Sequence, residues 1–168
     1  MANDFSSASA DTAQEANPVV VQCPEDVTGI PEPEWIREWA RMALEAAPGP
    51  VPAGELVVRV VEEEAIAALN QDFRGKEGPT NVLSFPADLP EGPWEPMLGD
   101  VVICGDVVRR EAADQGKAPE AHWAHMVVHG SLHLLGYDHE EPGEAEVMED
   151  LERSVMARLG FGDPYAEE

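Results

Sequence analysis

The chain has 168 residues, 43% of them hydrophobic, which suits one domain with its own core and argues against global disorder. Thirty-four acidic residues against ten Lys and Arg give a net charge of −24, which repels polyanions at long range and, taken alone, votes against nucleic-acid binding. No run approaches the ~20 apolar residues of a membrane helix, so no membrane partner is expected.

Residues 1–17, rich in Ala, Ser and Asp, lack the basic start and apolar run of a secretory leader. They read as a disordered N-terminal tail on a cytoplasmic protein, ahead of a single domain over 18–165. Val19 to Cys23 reads as a first strand. Glu32 to Ala47 reads as a helix, opened near Pro31 and ended by Pro48-Gly49-Pro50. The β-branched run Glu55 to Val61 predicts a second strand, and Glu62 to Phe73 a helix with Ile66, Leu69 and Phe73 on its apolar stripe. Thr80 to Pro86 is a third predicted strand, Asp88 to Met97 a proline-rich loop, and Leu98 to Cys104 a fourth strand. Three helices follow. They cover Asp106 to Gly116, Pro119 to Leu135, and Gly143 to Leu159, the last with Val147, Leu151, Val155 and Leu159 on one stripe. The expected class is α/β (α+β): a small mixed sheet of about four strands packed by about five helices. Cys23 and Cys104 lie far apart and outside any metal-type spacing, and read as reduced, buried thiols.

The segment with most chemistry is His129-Gly130-Ser131-Leu132-His133-Leu134-Leu135-Gly136-Tyr137-Asp138-His139. His129 and His133 are four apart on a predicted helix, so both imidazoles reach one ion from the same face. Gly136 lets the chain leave the helix, and the turn returns His139 to that face. Three neutral imidazoles make an open site, one ion per chain, for which zinc is the best match; nickel, cobalt and iron also accept such ligands. His125 shares the His129 face and is expected to support the ligands or line the cleft, whereas His122 is expected to be exposed. The spacing is also that of zinc peptidases with H-E-x-x-H-x-x-G-x-x-H. Those carry a glutamate base immediately after the first histidine, where this chain has Gly130, which argues against a peptidase.

The motif resembles the signature H-G-x-L-H-L-x-G-Y-D-H of the YbeY family, the bacterial rRNA maturation factors. Asn70 to Pro86 resembles a second block of that family, N-x-x-[YF]-R-x-K-[DE]-x-P-T-[DN]-V-L-S-F-P. Leu98-Gly99-Asp100-Val101 resembles a third, and Met148, Glu152 and Leu159-Gly160 fit its last helix. The resemblance covers roughly residues 55 to 165. It implies a zinc-dependent endoribonuclease specific for single strands, acting in 16S ribosomal RNA 3′-end maturation and ribosome quality control. Its partners would be ribosomal RNA and the small ribosomal subunit or associated proteins. The zinc ligands fall on His129, His133 and His139, the zinc site lies on a central helix and the loop after it, and a cleft arginine falls on Arg74. The alternative from another class is a non-catalytic ribosome assembly factor with a structural zinc.

Phosphodiester hydrolysis requires an activated nucleophile, and a zinc ion lowers the pKa of water to around 7; attack by the RNA 2′-hydroxyl is equally compatible with the sequence. Arg74 offers a planar fork for phosphate oxygens, and His129 is the second residue assigned to catalysis. Local charge softens the global objection. Residues 73–86 hold Arg74 and Lys76 against Glu77, and 101–119 hold three bases against three acids, so both segments could border a cleft that accepts RNA. Thr80, Asn81 and Ser84 are expected to serve strand packing and turn capping, with lining of the cleft as the alternative, and Asp100 to serve a structural role near a strand start. Asp138 serves either its turn or a neighbouring imidazole. Trp35, Trp39, Trp94 and Trp123 are expected to pack rather than to stack on bases.

Overall fold

The computed structural model describes residues 16–25, 27–87, 96–138 and 140–166. Most of the expected tail, Trp94 and His139 lie outside these residues. The elements in chain order are β1 (Val19–Gln22), α1 (Pro33–Ala46), β2 (Glu55–Val61), α2 (Glu63–Arg74), β3 (Val82–Pro86), β4 (Met97–Cys104), α3 (Gly105–Gln115), α4 (Pro119–Leu134) and α5 (Pro142–Arg158). Proline in the first turn of α1, α4 and α5 starts each helix where its missing N–H costs nothing.

The sheet order is β1-β2-β4-β3. β1 pairs with β2, and β2 with β4, in parallel, while β3 runs antiparallel to β4 at the edge. This is the expected α+β class. Alternation along the strands splits the core in two. Val101 and Ile103 of β4 join Leu56, Val58 and Val60 against α1, α4 and α5. Val102 and Cys104 face the other way, with Leu83, Val107 and Ile66 of α2.

Helix α4 is buried on nearly every side, the pattern of a central helix. It packs on β3 and β4 with α1 and α3 on its flanks. Gly130 is what permits the close approach: a Cβ there would stand 2.5 Å from Val101 Cγ1 and 3.1 Å from Val82 Cγ2. Ser84 then donates its hydroxyl to the Gly130 carbonyl at 2.8 Å, tying β3 to the helix. Packing and capping are the roles expected of Ser84 and Asn81. Asn81 Oδ1 accepts the Val82 amide at 2.7 Å, which starts β3 two residues later than the Thr80 expected from sequence.

Four expectations are corrected. Phe73, placed on the apolar stripe of α2, is 67% exposed, because the helix buries only Ile66 and Asn70 and ends at the next residue. His122 is buried, since α3 covers that side of α4. The stripe of α5 is rotated by one position: Val147 is exposed, and the buried face runs Met148, Glu152, Val155, Met156. Cys23 is exposed rather than buried. Trp39 and Trp123 are core residues as expected, while Trp35 is half exposed.

Candidate metal centre and cleft

Helical spacing sets His125, His129 and His133 one turn apart along one face of α4. His129 Nε2 and His133 Nε2 lie 3.1 Å apart, with ring centroids at 4.6 Å. Two nitrogens bound to one tetrahedral ion at usual zinc distances stand roughly 3.3 Å apart, so this pair fits a shared cation.

The other nitrogen of His129 is held from behind. Its Nδ1 donates to Glu152 Oε1 at 2.9 Å, and His125 Nε2 donates to the same oxygen at 2.7 Å. With the proton on Nδ1 and directed at the carboxylate, the lone pair of His129 sits on Nε2, toward His133. A carboxylate behind an imidazole is the usual support for a metal-binding histidine. Glu152 is fully buried in α5. Burial pushes its carboxyl up, but the hydrogen bonds from His125 and His129 outweigh that and hold it at about 2. Tyr165, in the segment after α5, donates its hydroxyl to the remaining oxygen, Oε2, at 2.7 Å. Burial and the Glu152 charge push the Tyr165 phenol well above its ordinary value. His125, His129 and Glu152 present ligand atoms within 4.8 Å of one another, a group able to hold a metal ion.

His129 and His133 sit in a cleft of about 890 Å³ whose walls include Phe73, Arg74 and Lys76, strand residues Asn81 to Pro86, and Asp138 and Glu140. Gly136, at φ 98°, turns the chain out of α4 and delivers Asp138 to this wall; a side chain would be strained there. Arg74 is exposed on the last turn of α2. The structure therefore brings Arg74, His129 and His133 to one cleft, while His139 lies outside the described residues. Of the two segments expected to border the site, only 73–86 does so. Arg109 and Arg110 pair instead with Asp106 at 2.7 Å and Glu63 at 2.6 Å. Asp100 pairs with Arg59 at 3.0 Å, a structural role as expected.

His125, expected to support the ligands or line the cleft, shares Glu152 Oε1 with His129. His122 donates Nε2–H to Glu111 at 2.9 Å and lines a separate cavity of about 630 Å³ with His125, Lys117 and Tyr165. Sequence reasoning missed the roles of Glu152 and Tyr165. A carboxylate is no signal in a chain with 34 of them, and Tyr165 approaches from the far end of the chain. The available signal was Glu152 itself, an acid at the centre of an otherwise apolar helix face.

Among the described residues no helix is long and apolar enough to cross a membrane. A family model described as Endoribonuclease YbeY matches residues 26–160. An Endoribonuclease YbeY of Methylococcus capsulatus is 55% identical over 140 residues, spanning 83% of this chain and 90% of the relative. Another, from Alcanivorax borkumensis, is 51% identical over 152 residues, spanning 88% and 86%. A solution structure of a Thermotoga maritima protein superposes with a TM-score of 0.52 at 25% identity, covering 88% of this chain and all of that one. From the matched motif block to the chain-long similarity, these findings converge: the chain belongs to the endoribonuclease YbeY family.

Proposed function

We propose that this chain is a zinc-dependent endoribonuclease specific for single strands. Its one domain spans 18–165, and it acts in the cytoplasm on ribosomal RNA, in 16S 3′-end maturation and ribosome quality control. The observation that carries the reading is the 3.1 Å approach of His129 Nε2 and His133 Nε2 inside a cleft shared with Arg74, in a member of this family. Relatives more than half identical bear the name Endoribonuclease YbeY.

His129, His133 and His139 are the proposed zinc ligands. Glu152 fixes the ring and tautomer of His129, and His125 and Tyr165 fix Glu152. Zinc, when bound, would supply Lewis acidity toward water and toward a phosphoryl oxygen, giving hydroxide near neutral pH without a glutamate base. Arg74 pairs with non-bridging phosphate oxygens, orienting the strand and offsetting charge that builds on phosphorus. The hydroxyl of Tyr165 backs the buried Glu152 carboxylate on the side away from the cleft. Gly130 faces the sheet rather than the cleft, so the position that holds the base in a peptidase has no room for a side chain here.

The test is purified protein with single-stranded RNA, with and without a chelator, alongside elemental analysis. Chelator-sensitive cleavage by protein carrying about one zinc per chain supports the reading. The net charge of −24 favours a second reading, a ribosome assembly factor with a structural zinc. Folded, zinc-loaded protein that leaves RNA intact yet co-sediments with small ribosomal subunits would establish that reading instead.

A further inference from the structure

Phe73 is 67% exposed, on the last turn of α2 immediately before Arg74. Among the large hydrophobic side chains exposed in the described residues, only Phe73 lines the cleft of His129 and His133. It is not loose. Its ring packs on that of half-buried Phe85, from β3, with centroids 4.4 Å apart and planes tilted by 58°. Such a pair holds the Phe73 ring in place at the cost of little of its surface.

The side chains of the cleft offer a polyanion little net positive charge. Arg74 and Lys76 are met on the same walls by Asp138 and Glu140, and the exterior is strongly acidic. Phosphate contacts alone would bind weakly and fade with salt. Stacking of a base on an aromatic ring is insensitive to both net charge and base identity. It also discriminates strands, because bases in a duplex have both faces covered and an unpaired base offers one. Among the described residues Trp39 and Trp123 are buried in the core, and half-exposed Trp35 does not line this cleft.

We propose that Phe73, backed by Phe85, is a stacking platform for one nucleobase of the strand whose phosphate Arg74 engages. This rests on the endoribonuclease reading and names the subsite that gives the same cleft its preference for single strands. The platform is sequence-tolerant, since every base has a π-face.

The test uses the full zinc-loaded chain, a labelled single-stranded RNA of mixed sequence, and the same backbone carrying abasic residues. Binding is read by anisotropy on ice and cleavage by gel. Phe73→Ala is expected to weaken binding of the base-bearing strand roughly 5- to 150-fold and to raise KM by the same factor. Phe73→Leu, which keeps an apolar contact with Phe85 but no aromatic face, is expected to behave like Phe73→Ala, and Phe73→Trp like the native chain. The abasic strand is expected to bind all four proteins alike. Phe73→Ala that binds the base-bearing strand as well as the native chain, or that loses the abasic strand to the same degree, overturns the platform. If the native chain cuts RNA in that experiment, the endoribonuclease reading survives. A native chain that neither binds nor cuts RNA overturns that reading itself.

Discussion

Tyr165 and Glu152 join the end of the chain to the middle of the site: the phenol donates to Glu152 Oε2 at 2.7 Å, while Oε1 of the same carboxylate receives His129 at 2.9 Å. The segment bearing Tyr165 is fastened on both sides. Lys117 donates to the Pro164 carbonyl at 2.7 Å, Phe161 packs edge-on against Trp39 at 6.2 Å, and Arg153 sits 5.3 Å from the Tyr165 ring centre. A hydroxyl so placed restrains the carboxylate that sets the direction of the His129 ring. Tyr165 lies past residue 160, where the match to the family model ends.

Tyr165→Phe is therefore expected to lower zinc affinity, by less than the roughly 10- to 100-fold that removing the direct outer partner of a metal-binding histidine costs. Competition against a chromogenic chelator measures it. Affinity equal to that of the native chain would reduce Tyr165 to an anchor of the C-terminal segment. Glu152→Ala should do more, because it leaves two buried imidazole donors without an acceptor, and a stability loss of about 3–5 kcal/mol is expected in urea melts.

Gly130→Ala tests the packing account of the position that distinguishes this motif from the peptidase one. The new methyl meets Val101, Val82 and the Ser84 hydroxyl, all on strands that cannot retreat without disturbing the sheet. Overpacking of this kind costs about 1–3 kcal/mol, or roughly 2–4 °C of thermal midpoint per kcal/mol in a chain of this size. An unchanged midpoint would show that α4 has room to move. By the same geometry Gly130→Glu creates no peptidase, since its carboxylate would start from between two strands.

Much of the fold was legible because local signals agreed. Pro119 and Gly136 bracket α4, β-branched runs mark β2 and β4, and the four-residue histidine spacing survives as a 3.1 Å approach. What failed did so where tertiary contacts override periodicity. Phe73 continues the stripe of α2, yet at the end of the helix its ring rests on Phe85 at the edge strand and stays largely exposed. Val147 looks like a core residue only because Glu152, the true centre of the buried face of α5, is an acid and hides the pattern. His122 looks solvated until α3 supplies Glu111. The sheet order, with β4 inserted between β2 and β3, leaves no local trace at all.

Arg74→Ala is expected to abolish RNA cleavage, by at least the roughly 10²- to 10³-fold that loss of one oxyanion donor costs, with zinc content unchanged. Arg74 is exposed, so the substitution leaves no buried group unpaired and the fold should hold. Arg74→Lys keeps the charge but loses the planar fork, and only partial recovery is expected. Cleavage near the native rate in Arg74→Ala would remove Arg74 from the reaction.

Acidification should destabilise the chain through His122, ahead of any general acid unfolding. Burial lowers its pKa from the usual ~6.5, more than the hydrogen bond to Glu111 raises it. His125, one turn on, and Lys117, at the junction of α3 and α4, push the same way as burial, and Nδ1 has no hydrogen-bond partner among the described residues to receive a proton's charge. The sign follows from proton uptake. Below pH ~6.5 the unfolded chain binds a proton that the folded chain refuses, so stability is full above that value and falls as pH drops toward the folded pKa. The slope from one such group is at most about 1.4 kcal/mol per pH unit. His122→Gln keeps a donor for Glu111 but cannot titrate, so urea melts of the variant should lose less stability than the native chain between pH 7.5 and 5.5, both at equal zinc. Parallel pH profiles for the two proteins would place the acid sensitivity elsewhere.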